Sequence, residues 1–210
     1  MEKEKSSIQK LNEFAEKTNR IITFADKLYP SNAIHPVTYH RRYLYMANHV
    51  DSDCHFICFD DSRRRDRRSR YCGVFFPIAL SKSTKICIRK KDIVDKLNLF
   101  TKTNRCKIGQ ESFDSHVIYE EFDSIRNNKI FTNTKIQDLI RKAFVLKLRI
   151  GVNMLPVEFV PGFRKQSHFG IYTTHEWLTN PMKIEFLFDL AEEIKRNINS
   201  MQEAPVLAEM

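Results

Sequence analysis

Apolar positions in residues 5–29 recur every three or four residues: Ile8, Leu11, Ala15, Ile22, Ala25 and Leu28, with Glu and Lys between them. That spacing predicts an amphipathic N-terminal helix occupying residues 1–30, stopped at Pro30-Ser31-Asn32. Such a helix either docks on its own domain or pairs with a second copy in a homodimer. From Thr38 the period falls to two. Tyr39, Arg41, Tyr43 and Tyr45 alternate with His40, Arg42, Leu44 and Met46; Cys54, Phe56 and Cys58 alternate with His55, Ile57 and Phe59. Alternation with aromatic enrichment predicts two strands, and the turn residues NHVDSD between them predict an antiparallel hairpin.

DDSRRRDRRSR (60–70) has no apolar residue and reads as an exposed loop. YCGVFFPIAL and TKICIRKK follow as two strands joined through Ser81–Ser83, with Ile86 and Ile88 inward and Cys87 and Arg89 outward. Asp92 is placed to cap a short helix through Leu97 and Phe100. The block from Phe113 to Phe159 organises the rest. Phe113, Ser115, Val117 and Tyr119 share one face of a strand. Asn133 or Thr132 caps a helix with the stripe Ile136, Leu139, Ile140 and Phe144. Leu148–Val152 and Leu155–Phe159 form a hairpin about Asn153-Met154. FRKQSHFGIYTTHEWL reads as a packed aromatic loop with one short strand. Pro181 suits the first position of a last helix that buries Ile184, Leu187, Phe188, Ala191, Ile194 and Ile198. The expected fold is therefore α+β: a mostly antiparallel sheet with an N-terminal and a C-terminal helix packed on it. Residues 38–199 form the single α+β domain, and 200–210 a flexible tail.

Two stretches together, YCGVFFPIAL and FDSHVIYEEFDSIRNNKIFTNTKIQDLIRKAFV, resemble an uncharacterised bacterial family. There, a strand beginning Phe-Asp is followed by an acidic turn, a Leu/Phe-Thr step and an amphipathic helix. The matching residues are Phe113, Asp114, Val117, Asp123, Phe131, Thr132, Ile136 and Leu139, and the resemblance spans roughly residues 71–198. Its members are often membrane-anchored. The resemblance implies a fold pattern and no catalytic residues.

Charge sharpens the functional reading. The formal net charge is +9, yet residues 1–105 hold 22 basic and 12 acidic side chains, and residues 106–210 hold 13 and 14. Residues 63–107 alone carry 15 basic and 3 acidic. Such asymmetry points to an anionic partner. Arg63, Arg64, Arg65, Arg67, Arg68 and Arg70 crowd one loop with only Asp66 between them. Guanidinium groups offer phosphates a planar pair of donors, so nucleic acid and an acidic membrane surface are the two partner classes. The alternative is a solvated hairpin loop paired to Asp60 and Asp61. Tyr39, Arg41, Tyr43 and Tyr45 on one face could stack bases, or lie under the N-terminal helix with arginine stems across rings.

Other chemistry finds less support. Cys54 and Cys58, four residues apart in a strand, stand about 13 Å from each other, too far for one zinc with Zn–S bonds of about 2.3 Å. The five cysteines, Cys54, Cys58, Cys72, Cys87 and Cys106, read as reduced and mostly buried thiols. No glycine belongs to a phosphate-cradling motif, so no cofactor is expected. His116 beside Asp114, with His168 and His175-Glu176, could supply a hydrolytic or transfer enzyme, but no spacing demands it. No apolar run approaches the roughly 20 residues of a membrane span, and MEKEKSS is not a secretory signal. The expectation is a non-enzymatic, cytoplasmic binding or accessory protein whose basic 63–107 surface meets an anionic partner, peripheral attachment to a membrane being left open.

Overall fold

The structure, a computed structural model, describes residues 5–31, 33, 36–63, 69–93, 95, 108, 110–122 and 129–203. Its elements are α1 (Ser7–Lys17), β1 (Ile22–Tyr29), β2 (Tyr39–Ala47), β3 (His55–Asp61), β4 (Arg70–Ile78), β5 (Ile86–Lys90), α2 (Glu111–Asp114), β6 (Val117–Phe122), α3 (Lys129–Thr132), α4 (Thr134–Val145), β7 (Arg149–Val152), β8 (Ser167–Thr173) and α5 (Pro181–Glu203). The eight strands form one antiparallel sheet in the order β1-β2-β3-β4-β8-β7-β5-β6. With the N- and C-terminal helices packed on it, the chain is α+β.

The N-terminal helix is shorter than its periodicity predicts. The Ser6 side chain and Gln9 close a capping box at its start, and Asn19, at φ 53°, turns the chain out of the helix after Lys17. Residues 22–29 then pair with residues 39–46 of β2, from Ile22↔Met46 to Tyr29↔Tyr39. Ile22, Ala25 and Leu28 continue the three-residue spacing, yet the β2 edge offers backbone partners along the whole stretch. The apolar stripe of α1, Leu11, Phe14 and Ala15, is buried in the chain's own core. Arg20 holds this corner. Its guanidinium lies between the Phe14 and Phe188 rings at 5.2 and 4.8 Å, and it pairs with Glu185 of α5 and with Asn48.

The two faces of the sheet carry separate cores. Leu44, Phe56, Cys58, Val74, Phe76, Ile88, Ile150, Phe169 and Ile171 face α1, α4 and α5. Ile57, Phe59, Tyr71, Phe75 and Tyr172 face the other way, under Leu155, Val157, Val160 and Phe163. The central strands β3, β4 and β8 are thus buried on both sides, which explains their continuous apolar runs.

Four further expectations change. Residues 155–159 form no strand: both edges of β7 are occupied, by β5 and β8. Asn153, at φ 50°, anchors the turn instead, donating to Thr84 O (2.8 Å) and Ser167 Oγ (2.6 Å) and accepting from His168 N (3.0 Å). The apolar side chains that follow fold over the second face. The partner of β7 is β8, the stretch that reads as an irregular loop. Phe113 belongs to α2, and the strand starts at Val117. Asp114 Oδ1 closes that turn by accepting from Ile108 N and Tyr119 OH. Residues 200–203 continue α5 rather than begin the tail. Asp92 does cap, exchanging hydrogen bonds of 2.9 Å with Asp95; Leu97, Phe100, Cys106, Asp123 and the tail after Glu203 lie outside the described residues. Asn133 caps α4 through Ile136 N, and the buried stripes of α4 and α5 are those expected.

The junction of β4 with β8 has no room for added atoms. A Cβ on Gly73 would collide with the Ile171 carbonyl and the Tyr172 backbone, whereas one on Gly162 meets nothing within 4 Å. Gly73→Ala should therefore cost about 1–3 kcal/mol of stability, read as a lower urea midpoint, while Gly162→Ala leaves the midpoint near wild type.

Candidate functional site

Pairing across four strands builds a row of alternating charge at one end of the sheet. Asp26 of β1 is opposite Arg42 of β2, Arg42 opposite Asp60 of β3, and Asp60 opposite Arg70 of β4. Asp60 Oδ2 accepts from Arg42 Nη2 at 2.7 Å and from Arg70 Nη2 at 3.2 Å. One carboxylate with a side chain 12% exposed thus holds two guanidinium groups. His40 Nδ1 approaches Asp26 Oδ1 at 3.3 Å. The guanidinium of Arg42 also stacks on Trp177 at 5.6 Å, and the Trp177 indole N–H donates to Phe59 O.

The arginine loop rises from this row. Its base is closed by Asp61, whose N–H donates to Ser69 O and whose Oδ1 accepts from Arg63 N at 3.1 Å. Arg63 and Arg70 are its described ends; Arg64, Arg65, Arg67 and Arg68 lie outside the described residues. On the second face, Arg63 covers the Tyr39 ring at 5.2 Å, and Tyr39 stacks on Tyr29 with centroids 4.6 Å apart and planes at 2°. The other described basic residues of 63–107 lie apart from this row. Lys82 and Lys85 lie beyond the far end of β4, on the order of 25 Å from Arg70. Arg89 is held by Asp95 and Glu120.

Two cavities flank the charged row. One, of about 480 Å³, reaches from Arg42, Asp60 and Arg70 to the starts of α1 and α5. The other, of about 560 Å³, runs over Asp26, His40 and Ser62 to His175. The Tyr39–Tyr45 face is covered over most of its length, though not by the N-terminal helix. Phe159 packs on Tyr43 at 4.5 Å, and Arg41 lies over Phe59. Among the described residues, the half-buried Tyr29–Tyr39 end lies beyond the reach of Phe159.

The three histidines weighed for catalysis are not brought together. His116 bonds to Ser115 and Ser112 O beside α2. His175 lines the second cavity. His168 is buried between Phe75 and Phe163. Among the described cysteines, the Cys58 and Cys72 sulfurs meet at 3.0 Å across β3–β4. Burial first, then the neighbouring sulfur, holds Cys58 well above the ordinary thiol range; burial also raises Cys54 and Cys87. None of these three is an activated nucleophile. Among the described residues no group of three or more His, Cys, Asp or Glu could hold a metal ion, and no helix is long and apolar enough to cross a membrane.

Sequence reasoning singled out the loop and missed the row beneath it. A usable signal existed: a hairpin centred on Asp51 places Arg42 opposite Asp60. Comparison with protein-family models, curated proteins and solved structures finds no match, so the functional reading rests on this geometry.

His168 gives an acid-sensitivity prediction. Burial, more than the Lys82 charge, depresses its pKa to about 4 from 6.5, and a backbone bond to Leu155 opposes the shift. The unfolded chain therefore takes up this proton first as pH falls. Stability is complete above pH 6.5 and is lost toward pH 4, by at most about 3 kcal/mol. His168→Phe should flatten that part of the unfolding free energy measured against pH; an unchanged slope would refute the assignment.

Proposed function

We propose that this chain is a non-enzymatic binding or accessory protein that presents its arginine loop to a phosphate-bearing polyanion. The observation that carries this reading is the gathering of Arg63, Arg70 and Arg42 at one end of the sheet, where the Asp60 carboxylate holds two guanidinium groups. Four more arginines of the sequence fall between Arg63 and Arg70. Phosphates relieve the mutual repulsion of such a loop through paired donors. Nucleic acid is the favoured partner. The stack Tyr29–Tyr39–Arg63 at the root of the loop offers a ring surface on which an unpaired base can continue the pile, next to cations that follow its backbone.

One observation supports an acidic membrane surface as the second reading. Leu28 and Val37, 59% and 72% exposed, flank the same end of β1 and β2, and basic side chains near such a surface contribute about 1 kcal/mol each. A hydrolytic or transfer enzyme built on His116 or the late histidines has no assembled site among the described residues behind it.

The discriminating measurement is anisotropy of a labelled single-stranded oligonucleotide beside co-sedimentation with phosphatidylserine liposomes, each across a salt series. Wild type should bind the oligonucleotide with a log–log salt slope that loses about 0.7 for every phosphate contact removed. Replacing Arg63, Arg64, Arg65, Arg67 and Arg68 by Ser should abolish both slope and binding. Liposome binding alone would select the membrane reading, and absence of both at low salt ends the proposal.

A further inference from the structure

The cavity between the charged row and the two terminal helices shares Arg70 with the loop and extends away from it to α1 and α5. It is bordered by Lys10 of α1, Arg42 of β2, Arg70 of β4 and Lys183 of α5, against two acidic side chains, Asp60 and Glu176. Four cations from four elements, far apart in sequence, therefore converge on one space of about 480 Å³. Helices α1 and α5, of 11 and 23 residues, both start at its wall, and the positive ends of their dipoles add to the same potential. That volume lies within the range of small-ligand sites, which pair an apolar wall with a few converging polar groups.

The lining says more than that an anion is attracted. Trp177, with Ile8 and Leu178, supplies apolar surface beside the cations. The two carboxylates disfavour a bare polyanion but accept hydrogen bonds from hydroxyl or amino groups. A ligand satisfying all three features carries a phosphate, a flat or apolar body and hydrogen-bond donors. We infer that this cavity binds a nucleoside monophosphate unit, either a free nucleotide or the phosphorylated end of a nucleic-acid strand. Its phosphate meets Lys10, Arg70 and Lys183; its sugar and base lie toward Trp177, Asp60 and Glu176. The inference rests on the reading of this end of the sheet as an anion-binding surface, and it adds a discrete pocket to the diffuse contact of the loop.

Trp177 is the single tryptophan of the chain, so its emission reports on this cavity. The full chain is titrated at low salt with AMP, adenosine, inorganic phosphate, and single-stranded oligonucleotides with and without a terminal phosphate. Equilibrium dialysis of labelled AMP runs in parallel, in case the indole is silent. AMP should bind saturably and more tightly than inorganic phosphate, and adenosine should not bind. Lys10→Ala with Lys183→Ala, at one half-buried and one exposed side chain, should weaken AMP by about tenfold or more. The same pair should leave salt-dependent oligonucleotide binding by the loop in place. The five-serine loop variant should do the converse. Competition by the end-phosphorylated strand alone identifies a strand terminus as the source; indifference to it identifies the free nucleotide. No binding of AMP up to ~10 mM, or AMP binding unaffected by the double lysine variant, overturns the inference while leaving the loop proposal to its own test.

Discussion

Strand β8 holds the sheet together. Among the described residues it is the strand that joins the meander β1–β4 to the group β7, β5, β6, and its pairings with β4 and β7 bring three glycines onto one face. Gly73 lets the β8 backbone approach; Gly170 leaves room for the Phe75 ring, and Gly151 for the Tyr172 ring. Those two rings stack at 6.0 Å across the join, so two large aromatic side chains occupy space that smaller neighbours vacate. The pairing joins residues about a hundred positions apart. Its loop-closure cost is therefore recovered only when most of the chain is already in place.

That join also sets the position of the charged row. Paired to β8 on one side and β3 on the other, β4 projects Arg70 beside Asp60 at the point where the helix-side core ends. Leu44, Cys58 and Cys72 close the apolar layer, and the next residues along the same face are Arg42, Asp60 and Arg70. Charges here are tolerable because Arg42 and Arg70 both pair with Asp60 and keep part of their side chains exposed. Arg20 contributes from the far side by clamping α1 to α5, which keeps the two helix starts against the same cavity.

Much of the architecture is legible in the residues, with understandable failures. The hairpin β2–β3, the Asn133 cap, the α4 stripe and the Pro181 start depend on neighbours within a few positions, and all are present. Two of the failures share one cause. Residues 22–29 keep a helical spacing but are strand, because β2 has an open edge for them. Residues 155–159 alternate like a strand but are a cover, because β7 has no edge left. Neither fact is local. The candidate site divides in the same way. The arginine run and its pairing with Asp60 are visible in the sequence, whereas Lys10, Trp177 and Lys183 have nothing unusual about them until the fold assembles them around one cavity.

By itself the sequence determined the class, α+β, the β2–β3 hairpin, the Asn133 and Asp92 caps and the excess of positive charge in the first half. Each follows from side-chain period, cap chemistry or charge, which act over a few residues. Only the tertiary structure decided strand order, which edges were open, and which of many charged side chains would share a space. Those outcomes depend on competition among distant segments for a limited number of backbone partners and apolar faces, and no local pattern encodes the winner.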